Sequence, residues 1–146
     1  MMITEGLIHL AERRLQLYNQ IVFIKKEGES MTQNDIEYAS RVFTERAARI
    51  LKNHIKKIIM YGSCARGDFD SDSDVDIAII TDMDRKAVKK YDSELMDAVT
   101  DIAMNSDAVV EYICLPVDEY NDKKGWYGYY KNIETEGRTL YEHKNI

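Results

Sequence analysis

The amino-acid sequence predicts an α/β or α+β sandwich around one sheet. Three observations carry this. Helix-like spacing of apolar residues, at three- and four-residue steps, alternates along the chain with short continuous apolar runs of strand type. The 146 residues, 45% of them hydrophobic, suffice for one domain with a real core and hardly for two. There is no internal repeat or low-complexity tract and only one proline, Pro116, so any linker is short.

Residues 1–30 read as an N-terminal helical extension. An amphipathic helix over 4–26 places Leu7, Leu10 or Ala11, Tyr18 and Ile21 roughly on one face, and a loosely held extension is the alternative. The polar segment KKEGES marks a boundary near Gly28, and residues 31–146 form the main domain. From Thr32, the residues Ile36, Ala39, Phe43, Ala47, Ile50 and Leu51 recur as on the buried stripe of a helix ending near Asn53. Residues 56–61, KKIIMY, read as a short buried strand that Gly62-Ser63 breaks, and residues 75–80 as a second. Asp82 or Asp84 caps a third helix with the stripe Val88, Tyr91, Leu95, Ala98 and Ile102. Residues 107–115, DAVVEYICL, are apolar on both faces apart from Glu111, as in a strand inside a covered sheet, and Pro116 stops them. A last helix over 126–136 ends at Gly137, read as a left-handed C-terminal cap, and 138–141 add an edge strand.

Composition excludes several functions. No apolar stretch approaches bilayer-spanning length, and the first residues, MMITEGLIHLAERRL, lack the basic start and cleavage site of a secretory signal, so the chain reads as cytoplasmic. Cys64 and Cys114 fit neither a disulfide framework nor a zinc spacing, and reduced thiols are expected. A net charge of -6 argues against an extended nucleic-acid surface, but not against a nucleotide carried in with a divalent cation.

The chemistry concentrates in YGSCARGDFDSDSDVDIAII, where an aspartate stands at every second position from Asp68 to Asp76. Alternate side chains of a strand share a face about 6.5 to 7 Å apart, so Asp74 and Asp76, at the mouth of VDIAII, point together. At an effective dielectric near 20 two such charges repel by roughly 2 to 3 kcal/mol, which a cation between them relieves. Mg²⁺ suits the place, since it takes one or two carboxylates together with phosphates and water. Asp68, Asp70 and Asp72 lie with Ser71 and Ser73 in the turn between the strands, where Asx-type bonding accounts for them without chemistry. An EF-hand reading of the same run fails, because its sixth position is Val75 rather than glycine and its twelfth is Thr81 rather than glutamate. Gly62-Ser63, after a strand, lets backbone amides and a hydroxyl approach a phosphate. Trp126, Tyr127, Tyr129 and Tyr130 are read as core rather than as a base-stacking surface. Cys64 is read as a small tolerated residue, with no histidine placed to activate it.

The residues Gly62, Ser63, Cys64, Ala65, Arg66 and Gly67, followed by Ser73, Asp74, Val75, Asp76 and Ile77, resemble the signature of the minimal nucleotidyltransferases of the DNA polymerase beta superfamily. The ending YYKNIETEGRTLY is similar to that of many small members. This resemblance implies the nucleotidyltransferase fold, a small mixed sheet with helices packed mainly on one face. It also implies transfer of a nucleoside monophosphate from a nucleoside triphosphate, ATP being the expected donor, to a hydroxyl. Carried over, Gly62 and Ser63 hold the triphosphate, while Asp74 and Asp76 bind two Mg²⁺ ions. Arg66 either contacts phosphate or braces the turn by pairing with its aspartates. The family's third carboxylate falls to Glu111, with Asp107 as the rival and loss of the third ligand as the remaining alternative. Because the chain has no room for a second, acceptor-holding domain, the expected acceptor is a partner protein. A toxin of HEPN type, paired with this chain as antitoxin, is the leading expectation. A module that neutralises its partner by binding alone, and a small-molecule nucleotidyltransferase completed as a homodimer, are the alternatives.

Overall fold

A computed structural model describes residues 2–26 and 30–144, with side chains of the first helix described from Glu12 to Ile24. The long helix α1 (Met2–Lys26) precedes α2 (Gln33–Leu51), whose N-terminus carries a capping box. Asp35 N–H donates to Thr32 Oγ1 at 3.2 Å, and Thr32 N–H donates back to Asp35 Oδ2 at 2.8 Å. A 3₁₀ turn leads into β1 (Ile55–Tyr61), followed by the one-turn helix α3 (Ser63–Arg66), a loop, and β2 (Val75–Thr81). The crossover back to β3 (Val110–Pro116) runs through α4 (Arg85–Val88) and α5 (Asp92–Asn105). Then come α6 (Val117–Lys123), α7 (Gly128–Glu136) and β4 (Arg138–Glu142).

The four strands stand in the order β3-β2-β1-β4. β1 is antiparallel to both β2 and β4, and β2 is parallel to β3, so the sheet is mixed. Parallel pairing requires the helical crossover that α4 and α5 supply. One face, with Ile58, Met60, Ile77, Ile79 and Val110, packs against Phe43 and Ala47 of α2 and Leu95 and Ile102 of α5. The other face, with Ile59, Ala78 and Ile80, is covered by Tyr120 of α6 and Tyr130 and Ile133 of α7. The longer helices thus share one face, and two short ones close part of the other. No described helix is long and apolar enough to cross a membrane.

Four expectations are corrected. The third predicted helix is divided: Asp84 accepts from Ala87 N–H at 2.7 Å to cap α4, and a 3₁₀ turn over Lys89–Tyr91 separates it from α5. β3 lies at the sheet edge rather than inside it. Its apolar character on both faces arises because Val110 and Leu115 are buried on opposite sides, while Glu111 stays exposed. Gly137 ends α7 in extended backbone, φ -70° and ψ 148°, not in the left-handed conformation. Glycine is needed there for space: a Cβ would stand 2.2 Å from Ile133 O and 2.4 Å from Ile59 Cγ2. The sequence reading also omitted α6, which starts straight after Pro116, and the aromatics are only partly core. Tyr130 is buried, whereas Trp126, Tyr127 and Tyr129 are exposed.

Candidate active site

Strand register assembles the carboxylates. In the antiparallel pair Tyr61 faces Asp76, and in the parallel pair Asp76 faces Glu111, so all three side chains project from one face at the end of the sheet where β2 and β3 begin. Asp74 lies just before β2 and acts electrostatically on Asp76. Burial, then the charges of Glu111 and Asp74, push the Asp76 carboxyl up to about 6, and Asp76 shares a hydrogen bond with Glu111. Asp107 is placed elsewhere: it stands ahead of β3, and its N–H donates to Asp35 Oδ1 at 3.4 Å.

Gly62 is fitted to this cluster in two ways. Its φ of 74° and ψ of -158° belong to a region open essentially to glycine alone. A Cβ there would also lie 2.6 Å from Asp76 Oδ2, so only a bare backbone lets the turn close over the carboxylate. The turn continues as α3, where Ala65 and Arg66 N–H both donate to Gly62 O at 3.1 Å. Gly67, with φ 87°, ends it in the left-handed conformation. Cys64 is buried beneath, its Sγ–H donating to Asp74 O at 3.3 Å, and burial holds its thiol up at about 11, so it is no nucleophile at neutral pH. Arg66 turns to carboxylates, with Nε 3.3 Å from Asp68 Oδ2 and a terminal nitrogen 3.2 Å from Glu136 Oε2, bracing the turn against the end of α7. The loop aspartates follow the Asx pattern: Asp72 N–H donates to Asp70 Oδ1 at 2.9 Å, and Asp70 N–H to Ser73 Oγ at 2.9 Å.

A cleft of about 340 Å³ opens beside the carboxylates, lined by Tyr61, Asp76, Glu111, Tyr112, Ile113 and Tyr129. The Tyr61 and Tyr129 hydroxyls are 2.7 Å apart. A larger surface cleft of about 780 Å³ lies between α2 and β4, at Tyr38, Arg41, Arg138 and Leu140, and contains none of the carboxylates. Sequence reasoning did not single out Tyr61 and read Tyr129 as core, yet both line the cleft. Tyr61 was legible in principle, since it immediately precedes Gly62 and must pair across from the Asp-x-Asp strand. Tyr129 arrives from the remote helix α7 and is exposed, so its place in the cleft depends on tertiary packing.

The donor set suits a hard divalent cation. Asp74, Asp76 and Glu111 offer only carboxylate oxygens, the donors that Mg²⁺ takes. Among the described residues no three acidic, histidine or cysteine side chains form a ready-made cage. That too is consistent with Mg²⁺, which is held by one or two carboxylates and completed by water and substrate phosphate.

A family model described as polymerase beta, nucleotidyltransferase, matches residues 45–145, a span containing the turn, the paired aspartates and Glu111. The chain belongs to this nucleotidyltransferase family. A Methanocaldococcus jannaschii protein named "putative protein adenylyltransferase" is 33% identical over 105 residues, covering 72% of this chain and 97% of the relative. A second protein of that organism with the same kind of name is 45% identical over 38 residues, which are 26% of this nucleotidyltransferase and 38% of the relative. Family membership makes the chain an enzyme that uses a nucleoside triphosphate and, in general, a divalent metal.

Proposed function

We propose that this nucleotidyltransferase moves AMP from ATP to a hydroxyl on a partner protein, as the antitoxin of a toxin-antitoxin pair, with residues 31–146 as the transferase domain and residues 1–30 as an added helical element. The observation that carries the reading is the fit of Gly62 to Asp76: the missing side chain leaves 2.6 Å where a Cβ would meet the carboxylate, with Glu111 in register on the other side. The names of the two relatives point to adenylyl transfer onto protein.

In this reading Asp74, Asp76 and Glu111 hold two Mg²⁺ ions, and Gly62 and Ser63 receive the triphosphate. Bound metal would supply charge neutralisation for the leaving pyrophosphate and lower the acidity barrier of the acceptor hydroxyl. The chain's own residues do the positioning. The Gly62 turn brings backbone dipoles to the phosphates, and Asp76, hydrogen-bonded to Glu111, would hold the cation through its ionised carboxylate. Glu111, exposed at the sheet edge, is placed to take the acceptor's proton. Arg66 supports the turn through Asp68 and Glu136.

The test is incubation with Mg²⁺, ATP labelled in the α-phosphate, and the product of the adjacent gene. Label on the partner, lost in Asp74→Ala, is expected. A partner neutralised equally by Asp74→Ala, with no label in either case, would replace transfer by simple binding.

A further inference from the structure

The helix α1 precedes the family-matched segment 45–145, yet it comes to the start of β3, from the face that α5 covers. Arg14 Nε lies 3.0 Å from Asp97 Oδ1, and an Arg14 terminal nitrogen donates to Ser93, which fastens α1 along α5. One turn further, Tyr18 Oη donates to Val110 O at 3.4 Å, beside Glu111 in the chain. Tyr18 and Glu111 line one open cavity of about 440 Å³ with Asp92 and Met96. Besides burial, the charges that act on the Tyr18 phenol are Asp74 and Glu111, two of the three carboxylates of the site.

We propose that Tyr18 is an acceptor in cis, so that the enzyme adenylylates its own N-terminal helix. The inference rests on the proposed adenylyl transfer and names one acceptor for it. Tyr18 Oη forms the bond to the α-phosphorus as the bond from that phosphorus to the oxygen bridging the β-phosphate breaks. Pyrophosphate leaves with the electron pair, and the phenol proton passes to the Glu111 carboxylate. The product is a phosphodiester between AMP and the Tyr18 ring, carrying a negative charge beside Asp74 and Glu111. Repulsion would drive modified α1 away from these carboxylates.

Two readouts test this. After incubation of the full chain with ATP and Mg²⁺, peptide mass mapping should find one AMP on Tyr18, absent in Tyr18→Phe and in Asp74→Ala. Separately, ¹³C-labelled tyrosine spectra, with the Tyr18 signal identified by its loss in Tyr18→Phe, should show that signal shifting when α,β-methylene ATP binds with Mg²⁺. AMP absent from Tyr18, or an analogue that binds by calorimetry without moving the Tyr18 signal, overturns the inference while leaving the proposed function standing. An analogue giving no binding heat overturns both.

Discussion

Asp76 concentrates the electrostatics of the site in one side chain. Its carboxyl, held up at about 6 by burial and by Glu111 and Asp74, binds a proton more tightly folded than unfolded. The sign follows: this contribution to stability is fully present below the ordinary value of 3.8 and is lost as pH rises through about 6. For a half-exposed group, after discounting for solvent screening, the loss amounts to about 1 kcal/mol. Asp76→Asn is therefore expected to melt roughly 3 °C higher than the wild type at pH 7.5 in chelator. The gap should close toward pH 4, and nucleotidyl transfer should be abolished. Calorimetric melts across pH check it, and an unchanged or lower Tm at pH 7.5 would refute the account. Gly62 gives the complementary case. Gly62→Ala places a Cβ in a disallowed backbone region and against Asp76 Oδ2, and should cost about 2 kcal/mol in denaturant titrations. Binding of ATP with Mg²⁺ should weaken more than tenfold by calorimetry.

Elements show where local pattern and packing part company. The α2 stripe is legible from its helical period, and the two inner strands from short continuous apolar runs bounded by turn residues. The position of β3 was not legible: a strand apolar on both faces looks alike in the middle of a sheet and at an edge shielded by helices on either side. Gly137 is similar, because a glycine after a helix suggests a positive φ, while the cause here is the closeness of Ile59 on the neighbouring strand β1. Gly137→Ala should accordingly destabilise by about 1 to 3 kcal/mol through overpacking, a drop in denaturation midpoint with the slope unchanged. If left-handed backbone were the reason instead, the cost would be nearer 1 kcal/mol, and Gly137→Asn would be tolerated better than Gly137→Ala.

At the scale of the whole molecule, ligand binding at the sheet end where β1 stops and β2 and β3 start should be linked to folding. A ligand that binds only the folded chain stabilises it, by about 2.7 kcal/mol at a hundred times its Kd. Mg²⁺ with ATP should raise the Tm of the wild type on that scale, chelator should reverse the gain, and Asp74→Ala should show none. A rise that persists in Asp74→Ala would detach nucleotide binding from the carboxylates.

From sequence alone, the local features of this nucleotidyltransferase are determined: the strand that delivers Gly62-Ser63, the paired Asp74 and Asp76, the Asx-bonded loop, and hence the family. Each follows from short-range geometry, two residues per pleat and few atoms per turn, which the order of residues specifies directly. Only the tertiary structure decided that Glu111 rather than Asp107 stands across from Asp76, that Arg66 reaches Glu136, and that Tyr18 meets the start of β3 from a helix far away in the chain. Those choices depend on strand register and helix docking, where a shift of one residue reverses which side chains meet, and nothing in the neighbouring residues records the outcome.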